Sequence, residues 1–357
     1  MLYGSGFRAP DEFLFLQTGD KRTLLLNDLE VDRGRSEATV DEVVSYSEVE
    51  AGLRGRKKKS LTISQVVGGF LLARGIKRVE VPADFPLGMA RALKKLGVRT
   101  KPSRTAFWPS REFKTPAEAR KLTEACRVAE AGVQRAYDIL AATKIRKDRR
   151  LTWGGRTLTS ELLRAEIEVA VVRAGGQAAG DSIVAGGEQA CDPHGRGSGP
   201  LRAGELIILD VFPRHSASKY FGDITRTVVR GSAPEACRKL WETCLQAQQK
   251  AFKSLKPGAD GAAMQREIQE FFAAEGYPRE IYGGRWRGFF HGLGHGLGLE
   301  IHESPRIATT TITPGQVVTI EPGIYWPGVG GVRHEDVAFV TSKGYRLLTK
   351  LAKPLEI

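Results

Sequence analysis

Asp210, Asp223, Glu321 and Glu335 each stand at the end of, or inside, an apolar run: ELIILD, DITRTVV, VVTIE and VRHEDVAFV. An acid buried in a strand is costly unless it is paired or bound to a cation. One such acid is ordinarily an edge residue or an ion-pair partner, but four in one region are harder to explain that way. Three of the six histidines, His291, His295 and His302, share the stretch FFHGLGHGLGLEIHESP at 289–305. Carboxylates with an imidazole form a hard donor set suited to manganese, cobalt, iron or zinc. Four carboxylates can neutralise two divalent ions, and a pair about 3.5–4 Å apart can clamp a hydroxide and polarise a carbonyl. An imidazole beside them can donate to a developing oxyanion or carry a proton to a leaving amine. The interleaved glycines let the backbone pass close to metal and ligand.

The elements that must position these residues read as two domains, expected at 1–112 and 113–357, since 357 residues exceed one ordinary core. In the first, strand-like FLFLQ, TLLLND and VEVPA alternate with helical SLTISQVVGGFLLARGI and RALKKLGV, the pattern of a small α/β domain. It is expected to end near FWPSREFK. A long helix then opens with Thr115 as N-cap, Pro116 in the first turn and Glu118 placed for a capping box, and runs to about Ala142. A second opens at Ser160 and stops at Gly175 and Gly176; two more span roughly 234–254 and 260–275. With the β-like runs between them, this region reads as α+β.

Hydrophobic content of 41% and charged content of 27% are those of a soluble globular chain, and no run is long enough to span a bilayer. The first residues do not have the pattern of a secretory leader, and Asn27, the single asparagine, makes no glycosylation sequon. Cys126, Cys191, Cys237 and Cys244 form no CxxC pair and read as free thiols in a reducing compartment, which implies the cytoplasm. Cys237 and Cys244, seven apart in a helical pattern, are expected on one buried face. The net charge of +13 gathers partly in RGRKKK at 54–59 and KIRKDRR at 144–150. Neither cluster carries aromatics that could stack on bases, so solvated faces are the expected reading and nucleic-acid binding the lesser one.

The order Asp210, Asp223, His295, Glu321, Glu335, within DITRT, HGLGHGLGLEIHE, TIEPGIY and GVRHED, resembles the ligand signature of the pita-bread-fold metallopeptidases. That family includes methionine aminopeptidase, aminopeptidase P and prolidase. The resemblance covers 113–357, and the preceding α/β domain is similar to the creatinase-type domain of the Xaa-Pro peptidases, which methionine aminopeptidases normally lack. It implies a metal-dependent Xaa-Pro peptidase, aminopeptidase P or prolidase, that cuts the bond before proline with a metal-bridging hydroxide. Two divalent ions per subunit are implied, with manganese expected and cobalt, zinc or iron as alternatives. By the same resemblance Asp210 chelates one ion, Asp223 and Glu335 bridge both, and His295 and Glu321 complete the coordination of the second ion. His291 and His302 contact substrate and the tetrahedral intermediate, Arg333 anchors the acids, and His194 and Tyr220 bind substrate. His215 and His334 receive no role. The implied partners are peptides with proline at the second position and a second copy of the chain, with no membrane and no nucleic acid.

The sequence also departs from the family. Asp210 and Asp223 lie thirteen apart, a longer hairpin than is usual, and Phe212 stands where the family has glycine. The insert PRHSASK in that turn is expected to protrude near the pocket rim and to bear on substrate choice. The N-terminal domain is expected to be short, its edge covered by a partner or its lid reduced. Proline has no amide N–H and a fixed φ, and an Xaa-Pro bond has a sizeable cis fraction, which is why dedicated enzymes handle it. The choice between dipeptides and longer peptides stays open. The competing readings are a non-catalytic binding module using the basic surface and a creatinase-like hydrolase working without metal; both would be expected to lose ligands that are intact here.

Overall fold

Leu24, Leu25 and Leu26 put three consecutive apolar side chains into one strand, and the strand is buried on both faces. The computed structural model describes residues 1–357 except 55–59, 179 and 181. The chain divides into two units, Met1–Pro109 and Ser110–Ile357. In the first, α1 (Leu2–Ser5) precedes β1 (Leu14–Thr18) and β2 (Lys21–Leu26), which pair antiparallel. After α2 (Val31–Glu37), β3 (Glu42–Ser45) joins β2 in parallel. Then come α3 (Tyr46–Arg54), α4 (Ile63–Ala73), β4 (Arg78–Val81), α5 (Leu87–Lys95) and β5 (Arg99–Pro102), with β4 and β5 parallel. Thr62 and Gln65 close a reciprocal capping box on α4. Leu25, Val66, Phe70, Leu93 and Val98 form the core. The sequence reading located β1, β2, β4, α4 and the second half of α5, and passed over α2, β3, α3 and β5, all short and partly exposed.

The second unit starts its long helix where the capping residues place it. In α6 (Pro116–Ala141) Thr115 and Glu118 bond reciprocally. Thr159 caps α7 (Ser160–Arg173). These helices pack on an antiparallel sheet of β6 (Ile183–Gly186), β7 (Leu206–Val211) and β8 (Ile224–Val229), in that order. Val128, Ile139, Ile167, Leu209 and Val228 fill the interface, each worth about 1.5–3 kcal/mol when fully buried. The other half carries α8 (Glu235–Ser254) and α9 (Gly261–Ala274). Here β9 (His295–Gly296), β10 (Glu303–Arg306), β11 (Val317–Ile320), β12 (Gly323–Trp326), β13 (Gly330–Arg333), β14 (Asp336–Thr341) and β15 (Gly344–Leu347) follow in sequence. β10, β9, β11, β14 and β15 form one antiparallel sheet in that order, and β12 pairs with β13.

The buried stripe of α8 runs Cys237, Leu240, Trp241, Cys244, Ala247, Gln248, Ala251. Both cysteines therefore share one buried face, and all four cysteines are free and buried. Gln248 is the stripe's amide, 2% exposed among apolar neighbours.

Two expectations are corrected by the architecture. The runs VVTIEPGIY and VRHEDVAFV are each broken into two strands, β11 and β12, then β13 and β14, so Glu321 and Glu335 stand at breaks and Glu335 is not inside a strand. The insert after β7 does not protrude: Arg214–His215 pairs with Gly176–Gln177, Ser216 N–H donates to Gly175 O, and His215 Nδ1 meets Ser218 Oγ at 2.8 Å. The 144–150 cluster is an exposed face, as expected, with Arg146 and Arg150 near Asp148 and Arg149 near Glu205. Of the 54–59 cluster, all but Arg54 lie outside the described residues.

Candidate active site

The acids converge because strand pairing brings their strand ends together. Asp210 is the penultimate residue of β7 and faces Thr225 of β8; Asp223 immediately precedes β8. Glu321 follows β11, and its N–H donates to Leu293 O. Glu335 follows β13, and its N–H donates to Thr225 O while Thr225 Oγ1 donates to Glu335 Oε2 at 2.8 Å. His295 opens β9, held through its N–H by Thr319 Oγ1 at 3.0 Å. Gly294 and Gly296 on either side are obligatory: an added Cβ would lie 1.9 Å from Thr319 O and 2.2 Å from Ser304 O. The close approach these glycines permit is to neighbouring strands; Gly292 alone of the stretch opens freely on the cavity.

Asp223, His295 and Glu335 each offer a donor atom within 4.8 Å of the other two. His295 Nε2 lies 3.7 Å from Asp223 Oδ2 and 3.3 Å from Glu321 Oε1. Asp210 Oδ2 accepts from Arg333 Nη2 at 2.6 Å, while its Oδ1 is buried with no hydrogen-bond partner among the described residues. Burial, then the neighbouring carboxylates, pushes Asp223 and Glu335 well above the usual carboxylate range. Burial pushes Glu321 up to about 7. Burial drives His295 down to about 3 and keeps it neutral, the form in which imidazole binds a metal. Crowded buried acids, an orphaned carboxylate oxygen and a neutral imidazole fit a divalent cation.

Around this floor lies a cavity of about 940 Å³ lined by Asp210, Asp223, His295, Glu321, Glu335, Arg333, His291, His302 and His194. These are nine of the ten residues singled out from the sequence. Tyr220 is the tenth and does not line it: its ring packs with Leu122, Ala125 and Cys126, and its hydroxyl donates to Glu118 Oε1 at 2.7 Å. Phe212, the departure from the family glycine, does reach the cavity, with Phe290 and Ile301.

Tyr325, which sequence reasoning missed, ties two of these groups together. Arg333 Nη1 donates to its hydroxyl at 2.8 Å, and His291 Nε2 lies 3.0 Å from the same oxygen. With Arg333 supplying one hydrogen, the tyrosine's own proton points to His291 Nε2, and His291 Nδ1–H donates to Gly292 O at 2.9 Å. Both nitrogens of His291 are engaged, and burial holds its pKa down at about 3. His302 is exposed, its ring edge-on to that of His295 at 4.5 Å. His334 points away from the cavity: it is fully buried, edge-on to Trp241 at 4.8 Å. The signal for Tyr325 was its place two residues from Gly323 in TIEPGIY, across the β12–β13 pair from Gly331.

The model of metallopeptidase family M24 matches residues 120–342, more than half of the chain. The chain belongs to this family. It is similar to an Xaa-Pro dipeptidase of Pyrococcus horikoshii, 30% identical over 347 residues, covering 95% of this chain and 87% of that one. Among solved structures, an Xaa-Pro dipeptidase from Bacillus anthracis superposes with a TM-score of 0.83 at 26% identity, covering 100% of this chain and 92% of the other. A prolidase from Pyrococcus furiosus gives 0.79 at 29% identity, covering 99% and 94%. The fold of this M24 metallopeptidase is thus the α+β pita-bread fold expected from its motifs, with the N-terminal unit included in the match.

Proposed function

We propose that this metallopeptidase is an Xaa-Pro peptidase whose metal centre is formed by Asp210, Asp223, His295, Glu321 and Glu335. The observation that carries the reading is the buried convergence of Asp223, His295 and Glu335 at the floor of the cavity. The likeness to Xaa-Pro dipeptidases supports the substrate class. Two divalent ions, with manganese first among candidates, would be held there, Asp223 and Glu335 serving both. Such ions supply Lewis-acid chemistry and a nucleophile at neutral pH.

The chain's own residues do the rest. Arg333 holds Asp210 in place and, through Tyr325, sets the tautomer of His291. His302 is the imidazole left free to donate to the carbonyl oxygen as it gains charge, or to protonate the leaving nitrogen. Phe290 and Ile301 offer apolar wall for a prolyl ring. Arg306 lines the same cavity and has no carboxylate partner among the described residues. A guanidinium so placed suits the free carboxylate of a short peptide, which favours the dipeptidase form over aminopeptidase P. A homodimer in the cytoplasm completes the proposal; among the described residues no helix is long and apolar enough to cross a membrane. The non-catalytic binding module is favoured by no observation.

The test is hydrolysis of an Xaa-Pro dipeptide, its C-terminal amide and an Xaa-Pro-Xaa tripeptide by manganese-reconstituted protein with a chelated control. Chelator-sensitive cleavage with the dipeptide preferred is expected, and Arg306→Gln should raise KM about tenfold for the dipeptide but not for the amide. No cleavage by metal-loaded protein would overturn the proposal.

A further inference from the structure

Glu321 and Glu335 stand where strands stop, and the carbonyls beside them have lone pairs open to further donors. One side chain serves both breaks. Gln248 Nε2 donates to Ile320 O, immediately before Glu321, and to His334 O, immediately before Glu335, each at 3.0 Å. The same nitrogen lies 3.2 Å from Asp336 Oδ2, immediately after Glu335. The carbonyl of Glu335 itself accepts from Arg226 Nη1 at 2.5 Å. Arg226 Nη2 pairs with Asp336 Oδ1 at 2.7 Å, and Asp336 also accepts from Thr349 Oγ1 at 2.7 Å and Lys353 Nζ at 2.5 Å. Arg226 and Asp336 are 1% and 2% exposed.

A glutamine on the apolar stripe of α8 costs desolvation that a leucine or methionine would not. A buried amide is recovered only through its hydrogen bonds, and the donors of this one go to the two breaks and to Asp336. We propose that Gln248 is a positioning residue that yokes the two strand breaks, so that the Glu321 and Glu335 carboxylates reach the site together, with the Arg226–Asp336 pair fixing the far side of Glu335. The inference rests on the reading of those two glutamates as metal ligands. It assigns a role to a residue on a helix that contributes nothing to the cavity wall.

The experiment uses the full chain, stripped of metal, with cobalt(II) as the probe. Binding is followed by calorimetry and by the visible absorption of the bound ion, and the fold by circular dichroism and the thermal midpoint. Gln248→Met keeps length and apolar packing but removes both donors. It is expected to weaken cobalt binding about 10–100-fold, the range for groups that orient ligands, and to change the absorption spectrum while the metal-free protein stays folded. Lys353→Met loosens Asp336 from the solvent side and should give a smaller loss, about threefold. Unchanged affinity and spectrum in Gln248→Met overturns this inference alone. Absence of cobalt binding by the wild-type protein overturns the metal reading with it. Should Gln248→Met not fold, unchanged affinity in Lys353→Met overturns the inference.

Discussion

The floor and the mouth of the cavity are built on opposite terms. At the floor, Asp223, His295 and Glu335 are 4%, 5% and 2% exposed and sit at strand ends; Glu335 accepts a hydrogen bond from Thr225, and the His295 N–H donates to Thr319 Oγ1. At the mouth, His194, His302 and Arg306 are exposed, and His302 and Arg306 keep polar atoms available. Burial that crowds like charges destabilises the folded chain unless a cation enters. Exposure leaves groups ordinary and adaptable. The difference matches the proposed division of labour, an ion at the floor and a substrate at the mouth, and substitutions should separate the two.

The largest effect should come from the floor. Asp223→Ala or Glu335→Ala is expected to abolish metal binding and lower turnover by at least about 10³-fold, checked by metal content and dipeptide hydrolysis. Retained metal with full activity in either variant would break the contrast. At the mouth, His302→Ala should keep its metal and lose about 10²-fold in kcat, the worth of a positioned proton donor. A parallel loss of metal in that variant would show that mouth and floor are one unit.

A pH series sharpens the contrast further. Folded Glu321 titrates at about 7 against an ordinary 4.5, so the folded state holds that proton more tightly. Its stabilising contribution is complete below about 4.5 and is lost as pH rises through 7. Asp223 and Glu335 shift the same way. His291, His295 and His334 shift down to about 3 from 6.5, so their contribution instead grows as pH rises from 3 to 6.5. Among these groups Glu321 still titrates above about pH 6.5, and the thermal midpoint of metal-free protein should fall from there through about pH 7. Added manganese should remove the fall. A midpoint that rises through this range without metal contradicts the crowding of the floor. The smallest effect is expected at Tyr220→Phe: unchanged kcat/KM and a loss of about 1 kcal/mol in chemical denaturation, because its hydroxyl serves Glu118 and not the cavity.

The acids and histidines were legible because their types are anomalous where they stand: carboxylates closing apolar runs, and imidazoles among glycines. The helix starts at Thr115 and Thr159–Ser160 were legible through local capping chemistry. The strand breaks at Glu321 and Glu335 were not, because apolar alternation continues across VRHEDVAFV and the groups that satisfy the break, Gln248 and Arg226, lie about ninety and a hundred residues away in the chain. Tyr325 reads locally as an ordinary strand aromatic; only the pairing of β12 with β13 sets it beside Arg333. The insert after Asp210 looked like a protrusion because its partner, Gly176–Gln177, is a two-residue strand just past the end of α7 with no strand signature of its own. Non-local pairing is what separates the legible from the rest.

The clamp on Asp336 has a consequence for how the enzyme comes into being. Thr349 and Lys353 donate to it, and Arg226 reaches Leu351 O at 2.7 Å; Thr349, Leu351 and Lys353 all lie after every proposed ligand in the chain. Farther along, Val229 N–H donates to Leu355 O at 2.7 Å, beside the strand that Asp223 opens. A chain ending at Leu347 carries all five proposed ligands together with Arg226 and Gln248, but lacks the Thr349, Lys353 and Leu351 groups that complete the clamp on Asp336, and is expected to bind cobalt more weakly than the full chain when translated and tested as such.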